Sequence, residues 1–179
     1  VCTLGLQFEL TARLQDEIAQ RAAQTQRLQT LEQALAGPLA AGRVTLHNGR
    51  IGINGNVLFE LSSAELQPEG RALLKSLAAP LTSYLQARQE ILMVSGFTDD
   101  RQVREGNARF ADNWELSAQR ALTVTRALIA AGVPADAVFA AAFGAQHPVA
   151  ANDAEAGRAK NRRVEIAPIP RSAAADADA

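Results

Sequence analysis

Residues 6–36 contain neither Gly nor Pro, and Gln, Ala, Leu, Arg and Glu fill most of the positions. Such side chains lose little freedom in a helix. The stretch therefore predicts one helix of roughly 30 residues, about 45 Å long at 1.5 Å per residue. Its apolar seam is only fair. Leu14, Ile18, Leu28 and Leu35 keep heptad spacing, but Arg21, Thr25 and Glu32 occupy the seam positions between them. It reads as a spacer or weak coiled coil over residues 1–39, able to bring two copies together as a homodimer, and not as a buried core helix. Gly37-Pro38 is expected to end it.

The compact part must come from residues 40–169. Residues 44–47 and 50–53 are alternating runs joined by Asn48-Gly49, a strong hairpin signal because the turns that match strand twist need φ > 0 there. Val57-Leu58-Phe59 is expected to extend or follow that hairpin. Pro68 suits the first turn of a helix. Leu73, Leu74, Leu77, Leu81, Tyr84 and Leu85 then give that helix one apolar face. Pro80 interrupts it chemically but not in period, which predicts a kink. Ile91 to Val94 reads as a buried strand and residues 99–111 as a polar loop. Asp112 with Glu115 resembles a capping box, opening a helix whose buried face is Ser117, Ala121, Val124, Leu128 and Ala131. Gly132-Val133-Pro134 stops it, and residues 138–143 form a further strand. Residues 161–169 form the last strand, with Arg162, Val164 and Ile166 alternating with Arg163 and Glu165. The Ala/Asp-rich residues 170–179 read as a disordered tail. The fold class expected is α+β, an α/β sandwich with two helices on one sheet across residues 40–169, preceded by the long helix.

A net charge of −1 gives no basic field for nucleic acid. The single Cys2 cannot form an internal disulfide, and His47 and His147 show no zinc-ligand spacing. No metal, cofactor or catalytic residue is expected. No apolar run reaches the roughly 18 residues that span a bilayer. Residues 1–8 read equally as the outer end of a transmembrane helix or as the start of an amphipathic one.

Asn113, Ser117 and Arg120 fall at i, i+4 and i+7, on one face near a helix start that favours an anionic group. Arg120 adds a planar fork suited to a carboxylate. Asp99, just after a strand, is placed to take an ammonium, so the pair suits a zwitterionic amino-acid head. From spacing alone a plain Asp99–Arg120 salt bridge, or two solvated charges, is the favoured reading.

Gly96-Phe97-Thr98-Asp99, then Asn113-Trp114-Glu115-Leu116-Ser117-Ala118-Gln119-Arg120-Ala121, resembles the G-x-T-D and N-x-x-L-S-x-x-R-A pattern of the OmpA-like wall-binding family. Phe59 with Ser62 to Leu66 is similar to its opening segment. Gly144 to Asn152 is similar to its glycine–proline turn, and Gly157-Arg158-Ala159-Lys160-Asn161-Arg162-Arg163-Val164-Glu165-Ile166 to its closing signature. The insertion before Asn113, and the string Asn113 to Ser117, look most like the MotB type, a flagellar stator subunit with motor-like relatives. Phe97 departs from the family's usual histidine.

This resemblance implies an OmpA-like mixed sheet and noncatalytic binding to the peptide stem of peptidoglycan at diaminopimelate. Asp99 would receive the ammonium and Arg120 the carboxylate. Thr98 and Asn113 would add hydrogen bonds, and Arg163 would flank the ligand. It also implies the periplasmic part of an inner-membrane-anchored motor subunit, with a MotA-like partner reached through a transmembrane segment absent from the sequence. The alternatives are an outer-membrane or secretion-system anchor without a motor role, and a peptidoglycan-processing enzyme. No nucleophile elbow or zincin motif supports the enzyme.

Overall fold

The computed structural model describes residues 2–104 and 107–171. The chain divides into two compact units, the first ending at Gln33 and the second starting at Ala34. Helix α1 is Cys2–Ala34, on which Leu14 and Ile18 are 53% and 66% exposed. No helix among the described residues is long and apolar enough to cross a membrane. α1 stops at Ala34, before the expected Gly37-Pro38. Those two residues lie inside a short helix α2, Ala36–Ala40. Pro38 sits in its first turn, where a missing N–H costs nothing because that donor has no helical partner anyway.

The second unit begins with the expected hairpin, β1 (Val44–His47) and β2 (Arg50–Asn54). Asn48 and Gly49 both have positive φ, 50° and 77°, as a primed turn requires. Residues 57–59 do not extend it as a strand. Asn54 caps the short helix α3 (Gly55–Leu58), its side chain accepting from the Asn56 N–H, and only a single bridge from Phe59 to Leu66 remains. That local side-chain bond offers the backbone an alternative to the ladder.

Helix α4 (Pro68–Arg88) runs through Pro80 as one element. Strand β3 is Glu90–Phe97, entered through Gln89 in the left-handed region. Helix α5 (Asn113–Ala130) starts at the Asp112 cap, whose carboxylate accepts from the Glu115 N–H at 2.9 Å. Glu115 reaches back to the Ala111 N–H. A 3₁₀ turn at Ala135–Ala137 leads into β4 (Val138–Gly144). Helix α6 (Glu155–Asn161) has no counterpart in the expectation, which ran the last strand from Asn161. That strand, β5, is Arg163–Pro170. The expected tail beyond Arg171 lies outside the described residues.

The five strands form one sheet in the order β1-β2-β5-β3-β4. β3 and β4 are parallel and every other pair is antiparallel, so the sheet is mixed. α4 and α5 contact each other and β3, and therefore share one face of the sheet. Leu74, Leu77, Leu81, Val124 and Leu128 from these helices are fully buried, as are Ile53, Leu92, Val94 and Ile166 from the strands. Each such side chain contributes about 1.5–3 kcal/mol by leaving water.

The tightest contact joins α5 to β3. A Cβ on Gly96 would lie 2.1 Å from the Ser117 carbonyl oxygen, so no other residue permits this approach. Gly96→Ala must push helix and strand apart. We expect it to lower the urea midpoint by an amount equivalent to about 2 kcal/mol or more. Gly37→Ala, whose added carbon meets open space, should not lower it. Equal midpoints for both variants would refute the packing argument.

Candidate functional site

The parallel strands β3 and β4 end side by side, at Phe97 and Gly144. The N-terminal part of α5 lies beside these ends, because the Ser117 hydroxyl accepts from the Gly144 N–H at 3.0 Å. The Thr98 N–H continues the ladder by donating to the Gly144 carbonyl. Thr98 and Asp99 are thereby held as buried residues at the carboxyl edge of the sheet. A cavity of about 430 Å³ opens there, lined among others by Thr98, Asp99, Asn113, Arg120, Glu155 and Arg162.

Arg120 is 7% exposed. Its Nε donates to the Ser63 carbonyl at 2.9 Å, and its guanidinium sits 5.2 Å from the centre of the Phe59 ring. No carboxylate among the described residues lies within ion-pair distance of it. Burial, and then the charge of Arg162, push its pKa down to about 10, against the opposing pull of Asp99. It is therefore a buried cation whose two terminal amino groups have no protein partner among the described residues.

Asp99 pairs with Arg162 rather than Arg120, its Oδ2 accepting from Arg162 Nη1 at 2.7 Å. Its Oδ1 accepts from the Arg101 N–H at 3.0 Å. Two carboxylate oxygens offer about four lone-pair sites, so Asp99 retains capacity for a further donor. The other amino group of Arg162 contacts Glu155, which also pairs with Arg158 at 3.3 Å. Burial opposes the charge on Arg162, yet the hydrogen bonds to Asp99 and Glu155 outweigh it and raise its pKa.

Of the residues singled out from the sequence, Thr98, Asp99, Asn113 and Arg120 line one cavity. Thr98 Oγ1 donates to the Asp99 carbonyl. Asn113 Nδ2 donates to the carbonyls of Arg101 and Asp99, at 3.0 and 3.4 Å, so it fixes the loop. Arg163 does not line the cavity. It lies over the Phe97 ring at 3.8 Å and donates to Glu165 and to the His147 carbonyl. Arg162 takes the place beside Asp99 because α6 persists to Asn161, which turns the first arginine of the pair inward. Ser117 is fully buried and ties α5 to β4.

Sequence reasoning also missed Glu155, Arg101 and the apolar rim of Leu61, Phe110 and Leu116. Two adjacent arginines at a helix-to-strand junction were the available signal for Arg162. Glu155 carried none. Among the described residues no cluster of three or more His, Cys, Asp or Glu could hold a metal ion.

A lowered pKa of about 10 corresponds to a cost of about 3 kcal/mol on the charged form of Arg120. For a base this cost is present below that pH and relieved as pH rises through about 10. Arg120→Met removes the cost and forfeits one charge-assisted hydrogen bond worth about 1.5–3 kcal/mol. We expect a thermal midpoint at pH 7 raised by about 2–4 °C per net kcal/mol gained. A fall of several degrees would show that the arginine stabilises the fold.

The model for the OmpA family matches residues 58–162. Among similar proteins are the probable lipoprotein YiaD of Escherichia coli K12, 37% identical over 64% of this chain and 48% of its own length. Motility protein B of Bacillus subtilis is 34% identical over 69% of this chain and 46% of its own. The peptidoglycan-binding protein ArfA of Mycobacterium tuberculosis is 35% identical over 75% and 39% respectively. The chain thus spans about half or less of the length of these relatives. Two solved structures superpose with a TM-score of 0.68. The cell wall anchor of the T6SS from Pseudomonas aeruginosa is 32% identical, with 79% of this chain and 97% of that one covered. A putative MotB-like protein from Desulfovibrio vulgaris is 31% identical, with 84% and 96% covered.

Proposed function

The chain belongs to the OmpA family, and from that premise we propose that it binds peptidoglycan without cutting it, through the cavity between Asp99 and Arg120. One observation carries the reading: Arg120 is a buried cation with no carboxylate within ion-pair distance among the described residues. A buried charge is costly until paired, and a ligand carboxylate gripped by its fork supplies the pairing. Asp99, with lone pairs to spare, meets the ammonium of the same amino-acid head, which for a wall stem peptide is diaminopimelate. Thr98 and Asn113 hold the Asp99 loop in place for that contact, and Arg163 supports it from behind Phe97. Similarity to ArfA, a peptidoglycan-binding protein, and to the cell wall anchor of Pseudomonas aeruginosa supports the wall as the target.

The protein is the periplasmic, wall-gripping part of a membrane-anchored, MotB-like motor subunit that works with a MotA-like partner. The similarity to motility protein B and to the MotB-like structure supports this. An envelope anchor without a motor is the second reading, favoured by the similarity to a lipoprotein and to the secretion-system anchor. Purifying the native complex from membranes separates them. A polytopic partner at fixed stoichiometry supports the motor, and its absence supports the plain anchor. An enzyme would release soluble fragments from labelled sacculi.

Arg120→Ala should lose retention on diaminopimelate-containing sacculi by well over tenfold, since truncating one side of a buried charge pair costs about 2–5 kcal/mol. Arg120→Lys should lose most of it too, because a point charge cannot replace the fork. Asp99→Asn should weaken free diaminopimelate more than an analogue lacking the ammonium. Normal circular dichroism with unchanged retention in the Arg120 variants would end the assignment.

α1 adds association between copies. Leu14 and Ile18 are exposed on it, as are Leu4 and Phe8. Deleting residues 1–36 should lower the dimer fraction in sedimentation while wall binding persists. An undiminished dimer would move the interface to the second unit.

A further inference from the structure

The cavity carries more positive charge than a zwitterion uses. Among the described residues, Arg101, Arg104, Arg120 and Arg162 line it, against Asp99 and Glu155. A zwitterionic head brings no net charge, so the excess cations remain after it binds. Those cations are unequally served. Arg120 has no carboxylate within ion-pair distance among the described residues. Arg162 has two, but the second belongs to Glu155, whose side chain is 60% exposed at the opening of α6. Arg101 reaches the same Glu155 carboxylate from the opposite loop at 4.0 Å. Glu155 therefore spans the cavity mouth between α6 and the loop after β3, in contact with three arginines.

Its hold there is electrostatic and reversible. An exposed ion pair contributes little, because water and salt screen it. Arg162 by contrast is anchored from below by Asp99, with both side chains largely covered. Arg162 also keeps one donor unmet, since its Nε is buried with no hydrogen-bond partner among the described residues. Such an orphaned buried N–H is rare and calls for explanation. The bond to Arg162 keeps the Glu155 carboxyl below the usual carboxylate range, so it stays ionised at neutral pH.

We propose that the outer amino group of Arg162, with Arg101, forms a second carboxylate subsite, and that Glu155 occupies it as a built-in substitute until a second ligand carboxylate displaces it. This deepens the wall-binding reading and rests on it. The ligand class is a peptide whose zwitterionic head spans Asp99 and Arg120 and whose neighbouring residue bears a free carboxylate. A peptide amidated at that neighbour cannot replace Glu155, because a carboxamide offers Arg162 no charge. Arg162 and Arg101 thus make the site sensitive to amidation of the stem, and Glu155 moderates that discrimination by competing with the acid form alone.

The test uses two synthetic tripeptides, L-alanyl-γ-D-glutamyl-diaminopimelate and the same peptide with the glutamyl carboxylate amidated, titrated into the full chain and into Glu155→Gln. Wild type should bind the acid form several-fold more tightly than the amide. Glu155→Gln removes the competing charge, so affinity for the acid form should rise by about tenfold while affinity for the amide does not rise. Circular dichroism verifies the fold of the variant, whose side chain is exposed. Equal affinities for acid and amide in both proteins would overturn the second subsite while leaving the head-group site standing. An unchanged acid-to-amide ratio in Glu155→Gln would overturn the role of Glu155. Failure of both tripeptides to bind either protein would overturn the wall-binding reading and this inference with it.

Discussion

The carbonyl oxygen of Ser117 lies against Gly96 with no room for a Cβ, and the geometry of the candidate site depends on that contact. It sets α5 directly on β3, closer than side chains would allow. The Ser117 hydroxyl then takes the Gly144 N–H, which binds the same helix turn to the end of β4. With β3 and β4 parallel, both strand ends arrive at one edge beside the start of α5. Asn113 is four residues before Ser117 and Arg120 three after it, so both lie on the neighbouring helical surface. Asp99 is two residues past the end of β3. None of these side chains needs a long reach to line one cavity.

Electrostatics then divides the arginines. Arg162 is neutralised by Asp99 and Glu155 and makes a network that holds the loop after β3 against α6. Arg120 is desolvated and, among the described residues, has only a backbone carbonyl and an aromatic face as partners. A residue arranged in this way weakens the fold that contains it, which is the usual relation between stability and a binding site. In the proposed wall complex, the ligand offsets that cost when its carboxylate arrives.

The position of Arg162 is fixed in turn by its neighbour. Asn161 is fully buried, and its amide accepts from the N–H groups of Val149 and Ala150 and donates to Ala150 and Asn152. Gly157 brings α6 so close to Ala151 that a Cβ would lie 1.8 Å from its carbonyl oxygen. These two contacts pin the short helix to the turn before it. A seven-residue helix has little stability of its own, so tertiary contacts decide where it ends and which arginine faces inward.

Much of this was readable along the chain because local chemistry fixes it. The Asn48-Gly49 turn, the Asp112 cap, the apolar face of α4, the buried run of β3 and the apolar run of β4 are each specified by neighbours a few residues away. The ordered motifs from Phe59 to Ile166 marked the family, and with it the fold and four of the residues that line the cavity. What the sequence could not decide was pairing. Spacing allowed Asp99 to face Arg120, but the partner is Arg162, sixty-three residues away, and the choice depends on α6, whose short polar sequence carries no amphipathic signal. Arg162 and Arg163 are adjacent and chemically identical. Only the point where α6 gives way to β5 sends one to Asp99 and the other over Phe97, because successive residues at a helix-to-strand junction leave the backbone in different directions and tertiary packing sets where that junction falls.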